Sequence, residues 1–459
     1  MDSSTYLARR KALREAVPNG AILILGNGDA PRNYADNVYP FRQDSHFLYF
    51  AGVSHPDLAL LMEPDGRTVL YGTPAHRDDV IWSGPHPTLA DHAAAAGASE
   101  YTDIGTLAGT VMSLRERGLD VHYLPPYRSQ RRFSLARILG ADPREVAAQT
   151  SVELVRAVAA QRSVKEAAEI AEIEAALAVT ARMYRATMRA VGPGRNEAEI
   201  AAVHTAEAVA AGCGQAFNPI VTVRGEVLHN AACGNTLSEG DLLLVDSGAE
   251  APSGYASDIT RTMPVTGRYS QQQRDIYEVV LAANEAAIAA AAPGVTNREL
   301  HLLAARTIAS GLKDLGLMQG DAEAAVEAGA HAMFFVHGLG HMMGLDVHDM
   351  EDLGDVVGYE LGEERSTQFG LAYLRLARRL EPGFVFTVEP GIYFIPELMD
   401  RWRADGLHRE FIRYERLEAY RSFGGVRIED DVLITGTGSR VLGPAIPKSV
   451  ADVEAAMAG

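Results

Sequence analysis

The sequence predicts an α+β protein in which a smaller α/β domain precedes a larger domain made of two related halves. Its 459 residues exceed one ordinary domain, because domains commonly hold about 100–200 residues. Hydrophobic residues make up 47% and charged residues 22%, which is typical of a soluble globular protein and excludes a disordered or fibrous chain. Strand-like runs alternate with helical patterns, and a short motif recurs late in the chain.

The N-terminal domain is predicted over residues 1–158 and the second domain over 159–459, because the sequence turns polar near residues 150–162. Short apolar runs bounded by turn-forming residues predict buried strands. These strands are predicted at residues 21–25, 68–71, 242–245, 385–388 and 426–428, with helices at 4–16 and 104–117.

A long helix is predicted over residues 163–191. Ser163 and Glu166 have the spacing of a capping box, and Pro193-Gly194 ends the pattern. Apolar side chains follow at intervals of three or four, although Ala181 weakens the stripe. They are Ile170, Ile173, Leu177, Tyr184 and Met188.

A weak internal repeat follows this helix. Pro193-Gly194 precedes Asn196 and Glu199, and a second Pro-Gly pair, Pro293-Gly294, precedes Asn297 and Glu299. Chance could produce so short a match. Taken as a repeat, it predicts a duplicated α/β half, and such domains often place their site at the interface of the halves.

The charge and cysteine content narrow the function classes. Lys and Arg number 42 against 60 Asp and Glu, a net charge of −18, whereas nucleic acids and anionic membranes require a basic surface. No apolar run is long enough for a membrane span, and no signal peptide is recognisable. Cys213 and Cys233 form no disulfide framework, so we expect a reducing, cytoplasmic location.

Carboxylates and histidines concentrate beside strand-like runs. Asp246, Glu389 and Glu429 each follow or lie within such a run, and Asp258 and the segment 337–349 add further acidic and histidine side chains. One carboxylate at the end of a buried strand is usually capped or salt-bridged. Several together predict a metal site, because buried charge is costly unless it is paired or metal-bound.

The donor types favour a pair of ions. Four carboxylates and one histidine suit Mn, Co, Fe or Zn in a paired site rather than structural zinc, and two ions would balance the carboxylate charge. Such ions can activate water and polarise a carbonyl. The segment His337-Gly-Leu-Gly-His341 is predicted to be a strand or loop, because its two glycines disfavour a helix. A single histidine of this kind is more often a hydrogen-bonded core residue than a ligand.

These residues resemble the proline-specific metallopeptidases, prolidase and aminopeptidase P, whose pita-bread fold is shared with methionine aminopeptidase and creatinase. The resemblance rests on five residues with their order and flanking motifs, and on an N-terminal motif over residues 39–52. The five residues are Asp246, Asp258, His341, Glu389 and Glu429. The resemblance implies a pita-bread catalytic domain with a pseudo-two-fold axis, and it implies a homodimer. It also implies two divalent ions, most simply Mn²⁺, with Co²⁺, Fe²⁺ or Zn²⁺ as alternatives.

The resemblance also implies roles for individual residues. Asp246 and Asp258 would hold the first metal, His341 and Glu389 the second, and Asp258 and Glu429 would bridge the two. Glu389 would also exchange protons with the attacking water. The resemblance makes His229 and His348 stabilisers of the tetrahedral intermediate, His337 a further pocket histidine, and Arg427 a supporting arginine.

The residues also bear on whether the substrate is a dipeptide or a longer peptide. A long insertion between His348 and Glu389 resembles that of prolidases, and Arg375 falls where they bind the free carboxylate of a dipeptide. A solvated helical arginine is the alternative, and so is an aminopeptidase P acting on longer peptides. Trp82 resembles a tryptophan that reaches an active site, but it could also be an ordinary core or surface residue. Phe217 stands where the family commonly has tyrosine, in a loop that is shorter by about two residues.

Two other functions remain open at this point. One is a non-catalytic pita-bread binding module, and the other is a creatinase-like C–N hydrolase. Both are disfavoured by the complete ligand set, since members of these classes lack it. The sequence therefore predicts a hydrolase acting on proline-containing di- or oligopeptides, most simply a Xaa-Pro dipeptidase.

Overall fold

The computed structural model describes residues 1–74, 76, 78–230 and 232–459. The chain divides into two compact units, one of residues 1–162 with 350–356 and the other of 163–349 with 357–459. The sequence did not suggest that the short segment 350–356 belongs to the first unit. In the described part of the chain, no helix combines the length and the apolar character that crossing a membrane requires.

The first unit is a sheet with helices on both faces. Its helices are α1 (Ser3–Ala16), α2 (Ser45–Ala51), α3 (Asp79–Ser83), α4 (Leu89–Ala96), α5 (Leu107–Glu116), α6 (Ser129–Leu139) and α7 (Val152–Ser163). Its strands are β1 (Ala21–Leu25), β2 (Ala59–Met62), β3 (Thr68–Gly72), β4 (Glu100–Asp103) and β5 (Val121–Tyr123), in the order β4-β3-β2-β1-β5.

The predicted elements of this unit are confirmed. Strand β1 is buried along its whole length, with parallel β5 on one side and antiparallel β2 on the other. A continuous apolar run is typical of a strand covered on both faces. The helix predicted at residues 104–117 begins with a 3₁₀ turn, Ile104–Thr106, before α5.

The second unit alternates paired helices with small antiparallel sheets. Its helices are α8 (Ala167–Ala190), α9 (Glu197–Ala210), α10 (Gln271–Ala290), α11 (Asn297–Asp314), α12 (Ala322–Ala328), α13 (Pro396–Asp405), α14 (Tyr414–Leu417) and α15 (Val450–Met457). Its strands are β6 (Gly214–Gln215), β7 (Ile220–Thr222), β8 (Leu242–Ser247), β9 (Ala249–Glu250), β10 (Ile259–Pro264), β11 (Val385–Val388), β12 (Gly391–Tyr393), β13 (Gly425–Arg427), β14 (Asp430–Ile434) and β15 (Ser439–Val441).

The long helix α8 starts later than predicted. Ser163 is the last residue of α7, and the capping box is formed by Glu166 and Glu169 rather than by Ser163 and Glu166. Ala181 is nevertheless buried in the apolar face of α8, so the stripe continues through it. A small residue at this position lets the helix pack closely without breaking its periodicity.

The internal repeat is a structural repeat. Gly194 and Gly294 both have left-handed backbone, with φ of 82° and 91°, and each turn leads into a helix with a capping box, α9 or α11. The first half then forms the sheet β10-β8-β7 and the second half the sheet β11-β14-β15. In the second half, residues 339–341 lie beside β11 as β7 lies beside β8. Asp246 and Glu389 thus occupy equivalent places in the two halves.

Candidate metal centre and active site

Ten of the eleven predicted site residues line one cavity of about 670 Å³ in the second unit. They are Asp246, Asp258, His341, Glu389, Glu429, His229, His348, His337, Arg375 and Arg427. Apolar side chains complete the wall, among them Phe217, Ile220, Leu228, Val336, Val347 and Phe369. A mixed lining of a few charged groups and many apolar ones is typical of a small-molecule site.

Trp82 is the eleventh residue and belongs to the first unit. It lies on the short helix α3, and 86% of its surface is exposed in this single chain. The structure therefore excludes the alternative that Trp82 is an ordinary core residue.

The four carboxylates are delivered by strands and strand ends. Asp246 lies in β8 opposite Thr260 of β10, and Asp258 directly precedes β10. Glu389 follows β11, and Glu429 lies between β13 and β14. The pairing of these strands brings together carboxylates that are far apart in the sequence.

His341 faces this carboxylate cluster with one ring nitrogen. Its Nε2 lies 3.5 Å from Asp258 Oδ2 and 3.6 Å from Glu389 Oε1. Its Nδ1 lies 3.1 Å from the Met342 carbonyl oxygen, which can only accept, so Nδ1 donates and Nε2 presents its lone pair to the cluster. This is the tautomer that a metal-binding histidine requires.

The loop around His341 approaches a strand closely, as its glycines allow. A Cβ atom at Gly340 would lie 1.9 Å from the Thr387 carbonyl oxygen, so no larger residue fits. Thr387 Oγ1 accepts from the His341 amide at 3.1 Å, and the Thr387 amide donates to the His341 carbonyl. Residues 337–341 form a loop without helix or strand, which confirms the prediction of a strand or loop.

The carboxylates oppose one another's ionisation in the absence of a cation. Burial, followed by repulsion from neighbouring carboxylates, raises the pKa of Asp258 and of Glu429 well above their usual values. Burial also raises the pKa of Glu389 to about 8, with Arg427 opposing the shift. A site of this charge is stabilised by bound cations.

The donor set fits divalent metal ions. Oxygen or nitrogen atoms of Asp258, His341 and Glu429 lie within 4.8 Å of one another. Asp258 Oδ1 is buried and has no hydrogen-bond partner among the described residues, which leaves it available as a ligand. Carboxylates with one imidazole suit Mn, Co, Fe or Zn ions.

Arg427 orients the cluster from one side. Its Nη2 donates to Asp246 Oδ2 at 2.5 Å, and its Nε donates to Thr260 Oγ1 at 3.1 Å. Thr260 Oγ1 in turn donates to Glu429 Oε2 at 2.6 Å. The guanidinium thus orients Asp246 directly and Glu429 through Thr260, as partners of metal ligands commonly do.

His337 ends a second chain of hydrogen bonds that starts at the same arginine. Arg427 Nη1 donates to Tyr393 Oη at 2.9 Å, and Tyr393 Oη donates to His337 Nε2 at 2.7 Å. His337 Nδ1 donates to the Gly338 carbonyl at 2.7 Å. Burial, reinforced by the charge of Arg427, lowers the pKa of His337 to about 3, so this histidine is neutral.

The other two predicted histidines lie on separate loops. The ring of His348 packs against that of His341, with centroids 4.0 Å apart. His229 lies in the loop after β7 and is exposed to the cavity. Two imidazoles from different loops can therefore approach a substrate held at the carboxylate cluster.

Arg375 lines the cavity together with Phe369 and Tyr373 from the same segment. Arg375 is exposed, and Tyr373 is 59% exposed. Arg375 does not lie in a regular helix, so the alternative of a helical arginine is wrong in that respect. A cation on the cavity wall can bind an anionic end of a substrate.

Two further residues of the site were missed by the sequence analysis. Thr260 and Tyr393 connect Arg427 to Glu429 and to His337, as described above. Both lie inside the motifs that contain the predicted ligands. A hydroxyl beside a strand-end carboxylate was the available signal, but threonine and tyrosine are too common in strands for that signal to distinguish them.

Comparisons with known proteins agree with this geometry. Residues 171–436 match metallopeptidase family M24, and residues 6–121 match the aminopeptidase P N-terminal domain. Human Xaa-Pro dipeptidase is 32% identical, with 99% of this chain and 92% of that protein aligned. Xaa-Pro aminopeptidase of Escherichia coli (strain K12) is 32% identical, with 98% and 97% aligned.

Solved structures show the same fold. The aminopeptidase PepP of Pseudomonas aeruginosa superposes with a TM-score of 0.82 at 31% identity, covering 100% of this chain and 98% of that one. Zinc-substituted E. coli aminopeptidase P in complex with product gives a TM-score of 0.82 at 30% identity, with coverage of 100% and 98%. The predicted pita-bread domain and separate N-terminal domain are confirmed, and the chain belongs to metallopeptidase family M24.

Proposed function

We propose that this protein is a two-metal peptidase that hydrolyses the bond between an N-terminal residue and proline, with a preference for Xaa-Pro dipeptides. The observation that carries the proposal is the convergence of the five proposed ligands, three histidines and Arg375 on one cavity. The names of the human and E. coli relatives support proline-containing peptides as the substrate class.

The proposed ligands divide between two ions. Asp246 and Asp258 would hold the first ion, His341 and Glu389 the second, and Asp258 and Glu429 would contact both. Bound divalent ions supply a polarised scissile carbonyl and an activated water. Mn²⁺ is the proposed metal, with Co²⁺, Fe²⁺ and Zn²⁺ as alternatives, because all four accept this donor set.

The side chains of the protein perform the remaining steps. Glu389 accepts a proton from the attacking water and transfers it to the departing proline nitrogen. His229 and His348 donate hydrogen bonds to the developing oxyanion, which is the charge that grows most in the transition state. Arg427 keeps Asp246 in place through its 2.5 Å hydrogen bond.

Arg375 supports the preference for dipeptides. In Xaa-Pro the proline carries the free carboxylate, and a guanidinium can bind a carboxylate through two parallel hydrogen bonds. A longer peptide has an amide at this position, so it forfeits the charge-assisted bond. The segment of Arg375 also contributes Phe369 and Tyr373 to the wall, which are suited to the apolar proline ring.

A series of peptide lengths tests the proposal. We expect the Mn²⁺-loaded protein to cleave Gly-Pro faster than Gly-Pro-Pro and to leave Gly-Ala uncut. Cleavage of neither proline peptide would refute the peptidase assignment and favour a binding module. Measurement of the metal content of the same sample shows whether two ions are present per chain.

An aminopeptidase P acting on longer peptides is the second candidate. It is favoured by the similarity to two aminopeptidase P structures over the whole chain. Faster cleavage of Gly-Pro-Pro than of Gly-Pro would select it.

A homodimer is proposed from the family resemblance, and sedimentation analysis tests it.

Trp82→Ala addresses the proposed role of the exposed Trp82. A lower kcat/KM with unchanged metal content would support a substrate contact, whereas an unchanged kcat/KM would make Trp82 an ordinary surface residue.

A further inference from the structure

We infer that Glu197 is a positioning residue that holds the loop of residues 223–230 and 232–235 so that His229 faces the cavity, and that it thereby sets the turnover number. The inference rests on the proposed function. Glu197 is the first residue of α9 and is outside the cavity lining, so it acts through the loop rather than on the substrate.

Glu197 is fully buried, with 0% of its surface exposed. Helix capping does not require it, because α9 is capped by Asn196 and Glu199. A buried carboxylate is costly unless its oxygens accept hydrogen bonds. The reason for a charged residue at this position must therefore lie in its hydrogen bonds.

The carboxylate joins the two ends of the loop. Oε1 accepts from the Val223 amide at 2.8 Å, and Oε2 accepts from the Asn235 amide at 2.9 Å. Asn235 Nδ2 also donates to both oxygens, at 3.0 and 3.1 Å. Every partner is a donor, so a carboxylate satisfies all of them, whereas a glutamine would place its own N–H groups against one of the loop amides.

His229 depends on the loop backbone for its position. Within the described residues, no hydrogen bond holds its imidazole. Its neighbour Asn230 is anchored, because Asn230 Nδ2 donates to Thr222 Oγ1 at 2.9 Å. The position of the imidazole is therefore determined by the loop stems, and Glu197 ties these stems together.

The second half of the unit supplies an internal comparison. Asn297 is the first residue of α11 and is also fully buried. Its Nδ2 donates to the Leu376 carbonyl at 2.9 Å, and its amide donates to the Arg378 carbonyl at 3.0 Å. A neutral side chain bound to one stem thus suffices to join a helix to its following segment. The carboxylate of Glu197 also binds the second stem, at Val223, and so joins both ends of the loop.

Glu197→Gln tests the inference, because it preserves size and removes one acceptor. We expect kcat on Gly-Pro to fall about 10- to 100-fold, the equivalent of a charged hydrogen bond. KM should stay within about twofold and metal content should not change, because an oxyanion contact is felt mainly in the transition state. Glu199→Gln, an exposed change at the same helix end, is the matched control and should keep full turnover.

A double-mutant cycle separates positioning from general structural damage. In a His229→Ala background, Glu197→Gln should lower kcat by less than about twofold, because residues that act through one another are not additive. An equal fractional loss in both backgrounds would overturn the inference.

Hydrogen exchange provides a readout that does not depend on activity. Amides of residues 223–230 and 232–235 should exchange faster in Glu197→Gln than in the wild type or in Glu199→Gln. If Glu197→Gln fails to fold, Asn235→Ala removes the side-chain donors and should give a smaller change in the same direction. Unchanged exchange in the folded variant overturns the inference. A wild type without any turnover refutes the proposed function instead, and the exchange result still decides the role of Glu197.

Discussion

The two halves of the second unit share a framework and differ in one connection. In the first half, residues 223–235 connect β7 to the residues before β8, and they carry His229. In the second half, the equivalent connection comprises residues 342–349 and 357–378, since 350–356 belong to the first unit, and it carries both His348 and Arg375. The helix pairs and strand pairs on either side are equivalent.

The difference suggests separate roles for the shared strands and helices, called the framework below, and for the connections. The parts that the two halves share place Asp246 and Glu389 at equivalent positions, so the placement of these two proposed ligands follows from the repeat itself. The connections are free to differ because loops tolerate insertion better than strands do. We therefore expect changes in the framework to affect metal and activity together, and changes in the connections to affect rate or substrate choice alone.

The largest effect is expected for the framework. Asp258→Asn removes one negative charge from a proposed bridging ligand, so we expect loss of nearly all activity and of at least one metal ion. Elemental analysis measures the metal content, and a turnover assay with Gly-Pro measures the activity. Full metal occupancy with normal turnover would show that Asp258 is not a ligand.

Replacement of a connection histidine is expected to have a smaller effect. His348→Ala should lower kcat by about 10²–10³-fold, the range for loss of one oxyanion donor, and should leave metal content unchanged. His229→Ala in the other half is the matched variant. Loss of metal from His348→Ala would mean that His348, rather than His341, is a ligand.

Arg375→Ala should affect substrate choice. The loss of a charge-assisted bond should lower kcat/KM on Gly-Pro by about 10- to 100-fold and barely change it on Gly-Pro-Pro or an amidated dipeptide. Arg379→Ala, an exposed change in the same segment, is the control. Equal losses on dipeptide and tripeptide would identify Arg375 as a structural residue.

The last effect concerns stability in acid rather than activity. Burial lowers the pKa of His204 on α9 and of His331 after α12 to about 4 each. Each binds its proton in the unfolded chain below about pH 6.5 but in the folded chain only near pH 4. The stability that each neutral histidine contributes is present above about pH 6.5 and is lost as the pH falls towards 4, by at most about 3 kcal/mol per histidine.

Denaturant unfolding of the wild type and of His331→Leu at pH 7.5 and pH 4.5 measures this effect. The variant should lose less stability on acidification than the wild type does. The same slope in both proteins would show that His331 does not titrate on unfolding.

The sequence alone predicted the proposed ligands and the duplicated fold. Asp246, Glu389 and Glu429 were recognisable because a carboxylate beside a buried apolar strand needs a partner. The repeat around Gly194 and Gly294 was recognisable because a left-handed turn followed by a capped helix leaves glycine and a capping residue at regular positions. These features are local, so local patterns reveal them.

Only the tertiary structure decided the relationships between distant segments. The hydrogen bonds of Arg427 with Thr260, Tyr393 and Asp246 join separate strands, and the sequence contains no spacing that records them. The role of Glu197 was invisible for the same reason, since a glutamate in the first turn of a helix is ordinarily a solvated cap. Its burial, and its bonds to Val223 and Asn235, arise because folding removes it from water and leaves these amides as its partners.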